Sequence, residues 1–398
     1  YYSNVNNAIN NGYYQDYYQS YYGNYYYNGD TIGDTFNGCA SLTDINVAEG
    51  DSSYSSVDGV LFSYYGLAAY PCGRVGPYSV PDGTLAIEPH AFAHCDGLSE
   101  VVIADSVNYL GALAFANCGS ITVDIGDGIT YLAEYTFADC VPDIKWGNNL
   151  THIGYNAFSD CMLSSVILPN SVTHIDSNAF YDCAAFDIAL GSNISEIAIS
   201  AFNGSNIEDI YVVGTNPVFA SDGDGVLFSR AENIDGESGA GGNVYAELVC
   251  YPPSKYGVSY SIPQGVKGIR EGAFKNNGRL NDITIPSSVI SVDDNAFDLP
   301  FLITASFLGD APAFFGQNVF GSVGDDFVIN YLSKNSGFTS PTWQGYKSQG
   351  DYLGGYKVIN GEEIEITSYP KSSTGHVDIP SEINRMPVTS IGDGAFEG

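Results

Sequence analysis

Phenylalanine returns along this chain at a fixed interval. It stands at Phe92, Phe115, Phe137, Phe158, Phe180 and Phe202, with steps of 23, 22, 21, 22 and 22 residues, and again at Phe274, Phe297 and Phe320, with steps of 23. Ala precedes nearly every one, and five residues upstream stands an aliphatic: Leu110, Leu132, Ile153, Ile175, Ile197, Ile269 or Val292. A period of this length is the mark of a stacked array, in which one repeat cannot bury its apolar face alone and its neighbours complete the core. The 398 residues therefore need not divide into the two or three globular domains that length alone suggests.

After each Phe comes a short β-branched, alternating run, such as Val101-Val102-Ile103, Ile121-Thr122-Val123, Val166-Ile167-Leu168 or Ile283-Thr284-Ile285. These runs read as strands. One strand per repeat, with about 18 residues left for the return, predicts coils whose strands form one parallel sheet. The Ala-Phe segments are too short for a stable α-helix and are expected as turns or short 3₁₀ pieces. The fold class is a β-rich α/β repeat solenoid with a parallel sheet, short helical turns and β-hairpin insertions.

Ile153-Gly154-Tyr155-Asn156-Ala157-Phe158-Ser159-Asp160-Cys161, followed by Val166-Ile167-Leu168-Pro169-Asn170-Ser171-Val172-Thr173-His174-Ile175, resembles the BspA-type leucine-rich repeat family. Several coils match independently, over about residues 30 to 398. The resemblance implies a curved solenoid on a bacterial or protist cell surface, adhesive or structural and without enzymatic activity.

Four stretches depart from the rhythm. Residues 1–29 form a Tyr-rich N-terminal arm, and 30–330 the solenoid. Hairpin insertions are expected near 50–80 and 214–263, where Gly59-Val60-Leu61-Phe62-Ser63 parallels Gly225-Val226-Leu227-Phe228-Ser229. Residues 229–243 read as a mobile Gly- and Ser-rich loop. Residues 331–355 are expected as a connecting loop, and 356–398 as the start of a further array. The pattern already runs at Ile32 to Cys39 and still runs at Ala395 to Gly398, although solenoids need polar caps. Two readings follow: the array continues beyond these residues, or ends stack on one another. The start without Met or leader suggests a processed or trimmed chain.

Charge narrows the partners. With 13 Lys and Arg against 46 Asp and Glu, the net charge is −33, which repels nucleic acid and anionic membranes. No apolar run reaches the roughly 18 residues that span a bilayer, so membrane insertion is not expected. The partners expected are a second copy, end to end, or an extracellular protein or glycan. The expected place is extracellular or at the cell surface.

Registered repeats place equivalent residues in columns. Cys95, Cys118, Cys140, Cys161 and Cys183 each follow a repeat Phe by three. Rungs about 4.8 Å apart are within disulfide reach, but stacked parallel side chains seldom meet the torsion, so buried free thiols are expected. Cys39, Cys72 and Cys250 define no framework. The residue before the aliphatic gives a candidate binding column, Tyr109, Tyr131, His152, His174 and Glu196. Its two imidazoles could share a metal or ligand, or simply be solvated. The residue before Cys gives Asp139, Asp160 and Asp182, which could hold Ca²⁺ between coils or only water and diffuse counterions.

Asn149, Asn193 and Asn203 open N-glycosylation triplets. Residues 1–27 hold eleven tyrosines. In a strand, Tyr13, Tyr17, Tyr21 and Tyr25 share one face; the segment is either a disordered tail or an assembly arm. Asp222-Gly223-Asp224-Gly225 starts like a calcium loop but lacks its bidentate Glu, and reads as a turn. No nucleophile elbow, zinc-helix or phosphate-loop pattern occurs, so no enzyme and no cofactor are expected.

Overall fold

The computed structural model describes residues 32–163, 165–185, 187–230 and 245–350, and beyond these 352–353, 356–359, 363–367, 382–383, 386–393 and 395. The arm residues Tyr13, Tyr17, Tyr21 and Tyr25, and all but the start of the Gly- and Ser-rich loop, lie outside the described residues. The chain forms two compact units, residues 1–207 with 212–217, and residues 208–211 with 218–398. Each is a β-solenoid.

Each coil carries two strands, not the single one expected. In the first unit a longer set, Gly76–Ser79, Leu98–Val102, Gly119–Asp124 and Cys140–Lys145, pairs in parallel. A second set of two-residue strands, Tyr131–Leu132, His152–Ile153, His174–Ile175 and Glu196–Ile197, forms another parallel ladder. The repeat aliphatic is the second residue of each short strand. Burying it takes its neighbours' amides from water, and these pair with the preceding coil: Gly154 N–H donates to Leu132 O at 3.0 Å and Asp176 N–H to Ile153 O at 2.9 Å.

The Ala-Phe corners are turns that form a third line of bonds between coils. Phe92, Phe115, Phe137 and Phe158 donate their N–H groups to the carbonyls of Ala114, Thr136, Ala157 and Ala179, one coil on, at 2.8–2.9 Å. Their rings are buried and stack with centroids 4.9–5.4 Å apart. Phe180 and Phe202 continue the column. Stacked aromatic pairs contribute about 0.5–1.5 kcal/mol each beyond the apolar area they bury. In the second unit Phe274, Phe297 and Phe320 stack likewise.

Tyrosines extend both columns. Tyr70 packs on Phe92 at 5.3 Å and Tyr251 on Phe274 at 5.1 Å. The Phe period hides both, yet each falls 22 or 23 residues before the next member and is followed by Pro.

Both units open with an antiparallel meander that turns into the short-strand ladder. Tyr54–Val57, Val60–Ser63 and Leu67–Ala69 pair antiparallel, and Leu67 then pairs in parallel with Ile87. The two-residue turn is Asp58-Gly59, both at positive φ, as a tight hairpin requires. Phe219–Ser221, Leu227–Arg230 and Tyr245–Cys250 repeat the device, and the last pairs in parallel with Gly268–Ile269. Tyr356–Ile359 and Glu363–Ile366 begin a third instance, antiparallel to one another, with Met386–Ile391 alongside in parallel.

Residues 331–355 are not a plain connecting loop. The hairpin Thr342–Trp343 with Tyr346–Gly350 lies there, and its second strand extends the parallel ladder from Val328–Tyr331. Trp343 is buried against Phe315 and donates its indole N–H to Gly337 O. A buried indole with a satisfied donor explains why this stretch is ordered like a coil.

Candidate functional site

The short-strand ladder of the first unit brings four of the five predicted column residues into register. His152 lies opposite Tyr131 on one side and His174 on the other, and His174 opposite Glu196. Tyr109 heads its own short strand, Tyr109–Leu110, paired with Ala86–Ile87. Because the strand period is two, the partner of each buried aliphatic faces outward. Tyr131, His152 and His174 are accordingly half-buried and Glu196 is exposed.

The two imidazoles stack 4.2 Å apart, 7° from parallel. A Thr precedes each. Thr151 Oγ1 donates to Thr130 O at 2.8 Å, and Thr173 Oγ1 to Thr151 O at 3.1 Å. The same hydroxyl oxygens lie 2.8 Å from His152 Nδ1 and 2.7 Å from His174 Nδ1. Each hydroxyl therefore sits between a carbonyl and an imidazole nitrogen, and the Thr130 and Thr151 carbonyls also accept backbone N–H groups of the next coil. His174 Nε2 lies 3.3 Å from Glu196 Oε2.

Acids surround the pair. Burial pushes the His152 pKa down, helped by His174, against the pull of Asp176 and Glu196. Burial pushes the Asp176 and Glu134 carboxyls up, with Asp176 adding to the effect on Glu134. The Tyr131 phenol is pushed up to about 12 by burial, then by Asp176 and Glu134. The result is an aromatic row flanked by acids, suited to a ligand that offers positive charge or hydrogen-bond donors. Among the described residues no three His, Cys, Asp or Glu side chains converge as a metal cage.

The cysteine column needs a correction. Cys95 is not a free thiol but pairs with Cys72 across 23 residues, with Cα atoms 4.4 Å apart. Cys72 belongs to the Tyr70 corner, so it joins the same column one coil earlier. Cys118, Cys140, Cys161 and Cys183 are free and buried. Three donate to the Phe carbonyl of the preceding coil: Cys118 to Phe92, Cys140 to Phe115 and Cys161 to Phe137, at 2.8–2.9 Å. Burial pushes the Cys161 thiol up and holds Cys183 at about 12. Cys140 goes the other way, its thiol pKa lowered chiefly by the bond from Cys118, while burial keeps Cys161 and Cys183 as structural thiols.

The acidic column has a backbone cause. Asp139, Asp160 and Asp182 have φ of 56°, 57° and 48°, and His94 and Asn117 in the same column have 60° and 57°. Among residues with side chains, Asn and Asp visit this left-handed region most readily. Burial raises the Asp160 carboxyl pKa, and the charges of Asp139 and Asp182 raise it further. Asp222 accepts bonds from the Asp224 and Val226 amides at 3.0 and 2.9 Å, which makes that segment a turn.

Asn149 and Asn193 are exposed in equivalent turns, with the Asn149 amide donating to Asp127 O at 2.8 Å. Asn203 is half-buried, and Ser205 of its triplet is buried with its hydroxyl on Phe202 O.

One feature of this unit escaped the column reading. Among the described residues the longer ladder stops after Cys140–Lys145 and resumes at Val166–Ile167, which pairs onward with Asp187–Leu190. A cleft of about 450 Å³ opens there, lined by Ile144, Trp146, Phe158, Val166 and Phe180.

Parallel coils, a stacked aromatic column and a short-strand face of aligned side chains define the class: a leucine-rich-repeat-type solenoid. The chain belongs to the BspA-type leucine-rich repeat family, whose region of repeats matches over residues 27–142, 68–186, 141–221 and 255–323. Among solved structures, a leucine-rich cell surface protein from Faecalibacterium prausnitzii is 20% identical, covering 87% of this chain and 95% of that one, with a TM-score of 0.48. A leucine-rich repeat protein from Eubacterium ventriosum is 20% identical over 72% of each chain, with a TM-score of 0.47. The pneumococcal vaccine antigen PcpA is 16% identical over 73% of this chain and 95% of that one, with a TM-score of 0.48. No curated protein matches. Among the described residues no helix is long and apolar enough to cross a membrane.

Proposed function

We propose that the chain is a non-enzymatic adhesive protein, displayed outside the cell or on its surface, that holds an extracellular protein or glycan on its short-strand face. The observation that carries this reading is the row Tyr131, His152, His174 and Glu196, aligned over four coils and framed by Glu134 and Asp176. Aromatic rings beside hydrogen-bonding groups are the usual anchors of such contacts. Membership of a repeat family of surface proteins supports the location, and the net charge of −33 favours partners with basic patches.

The test is capture of the full chain on immobilised glycans and basic extracellular proteins, with sedimentation of the same material. Capture by one class, falling about tenfold or more in the double variant Tyr131→Ala/His152→Ala, is expected. Capture indifferent to the double variant, or no capture together with polymers in sedimentation, would replace this reading with self-assembly or another face.

A further inference from the structure

Charge reverses over little more than one coil of the second unit. Residues 255–279 hold five of the chain's 13 Lys and Arg, namely Lys255, Lys267, Arg270, Lys275 and Arg279, and a single acid, Glu271. The rest of the chain is strongly acidic, but salt screens its charges beyond about 10 Å, so at contact distance the local sign decides. Two of the five cations are committed within the unit: Lys255 pairs with Asp209 at 2.9 Å and Arg270 with Glu247 at 2.7 Å. Lys275 and Arg279, on the turn that follows Phe274, are exposed and form no ion pair among the described residues.

Apolar groups are exposed around the same turn. Backbone bonds set three coils side by side here: Asn281 N–H donates to Val258 O at 2.8 Å, and Ile303 N–H to Asn281 O at 2.7 Å. The Arg279 guanidinium lies over the Tyr256 ring, 4.1 Å from its centroid. The Phe301 ring lies against Gly278, where a Cβ would stand 4.0 Å from it. Tyr256, Val258, Phe301 and Ile303 are 50–64% exposed. Aromatic and aliphatic side chains gathered around an arginine have the composition of an interaction hot spot. Stacking uses the flat face of the guanidinium and leaves its N–H edge for a carboxylate, which can take two parallel bonds.

We propose that this ridge docks an acidic protein segment, whose carboxylates pair with Arg279 and Lys275 and whose apolar side chains pack on Tyr256, Phe301 and Ile303. Charge complementarity selects an anion. The aliphatic Val258 and Ile303 favour a polypeptide over a sulfated or carboxylated glycan, which would draw on the rings and cations alone. The ridge lies in a different unit from the Tyr131 row and takes a partner of opposite charge, so it stands or falls independently of that reading.

The test is capture of the full chain on immobilised poly(Glu,Tyr), a random copolymer of glutamate and tyrosine, beside polyglutamate and heparin. Capture on the copolymer is expected, weaker on polyglutamate, and falling as salt rises from about 50 mM to about 500 mM. Arg279→Ala and the double variant Phe301→Ser/Ile303→Ser should each weaken capture at least about tenfold. Arg279→Lys, which keeps the charge but not the planar fork, should weaken it several-fold. Lys334→Ala removes an exposed cation outside the island and should change nothing. Urea midpoints of the variants, unchanged from the parent, show that the fold is kept. No capture on the copolymer at low salt, or capture indifferent to both Arg279→Ala and the double variant, overturns the proposal. Arg279-dependent retention on heparin without capture on the copolymer assigns the ridge to a glycan and overturns it too. So does a salt-sensitive dimer in sedimentation that Arg279→Ala abolishes while the copolymer captures nothing, which assigns the ridge to a second copy.

Discussion

In five coils of the first unit two positions lie in the left-handed region, and at the second of them Asn and Asp predominate, as that backbone favours. The position before each Cys was legible in the sequence as His94, Asn117, Asp139, Asp160 and Asp182, and its carboxylates suggested a cation. The cause was not legible, because a sequence shows residue types in a column but not the φ that selects them. The expected outcome is that Asp160→Asn is neutral or stabilising, since it keeps the conformation and removes repulsion from Asp139 and Asp182. Asp160→Val should lose about 1–2 kcal/mol, read from urea unfolding.

Asp282 makes a second prediction at this scale. Burial raises its pKa, against the bonds it accepts from Thr304 and the Ile283 amide. The folded state thus keeps this proton to higher pH than the unfolded chain. At low pH both states are protonated and nothing is lost. As pH rises the unfolded chain releases the proton first, so stability falls until the folded carboxyl has also ionised. Asp282→Asn should therefore be more stable than the parent at neutral pH, with the difference vanishing near about pH 3. Melting temperatures across pH check both sign and window.

At the scale of the element, the turn and the strand after each Phe were readable from composition, whereas the short strand was not. Two residues such as His152-Ile153 are too few for any alternation, and only the repetition of the aliphatic marked the row. The disulfide was missed for a related reason. Tyr70 takes the Phe place in its coil, so Cys72 seemed outside the column although it precedes Cys95 by one repeat. Closing a loop of this length contributes about 3 kcal/mol through the entropy of the unfolded chain. Reduction with a mild thiol should lower the urea midpoint accordingly. The same treatment should leave a Cys72→Ser/Cys95→Ser variant unaffected, since Cys118, Cys140, Cys161 and Cys183 carry no bridge.

At the scale of the whole molecule, stability is a sum of coils and of the contacts between neighbours. The Phe period made that architecture legible from a handful of residues, because each coil must supply the same apolar set to the next. The charge of −33 opposes compaction at long range, and salt screens it. Raising ionic strength from about 10 mM to 150 mM should raise the melting temperature. Lack of any rise would mean that the acids are already compensated locally.

The interruption of the longer ladder has a mechanical meaning. Lys145 O accepts from Ile125 N–H, and Cys140 O from Met162 N–H, so alternate residues between them, Ile144 among these, aim their backbone groups at a gap where no described strand pairs with them. Its amide should exchange hydrogen faster than that of Val123, its register partner in the adjoining strand. In the adhesive role proposed above, the chain is loaded by the traction it resists. Pulled along its stack, the first unit should part at the seam between Lys145 and Val166, yielding one fragment at a time while the coils on either side stay wound.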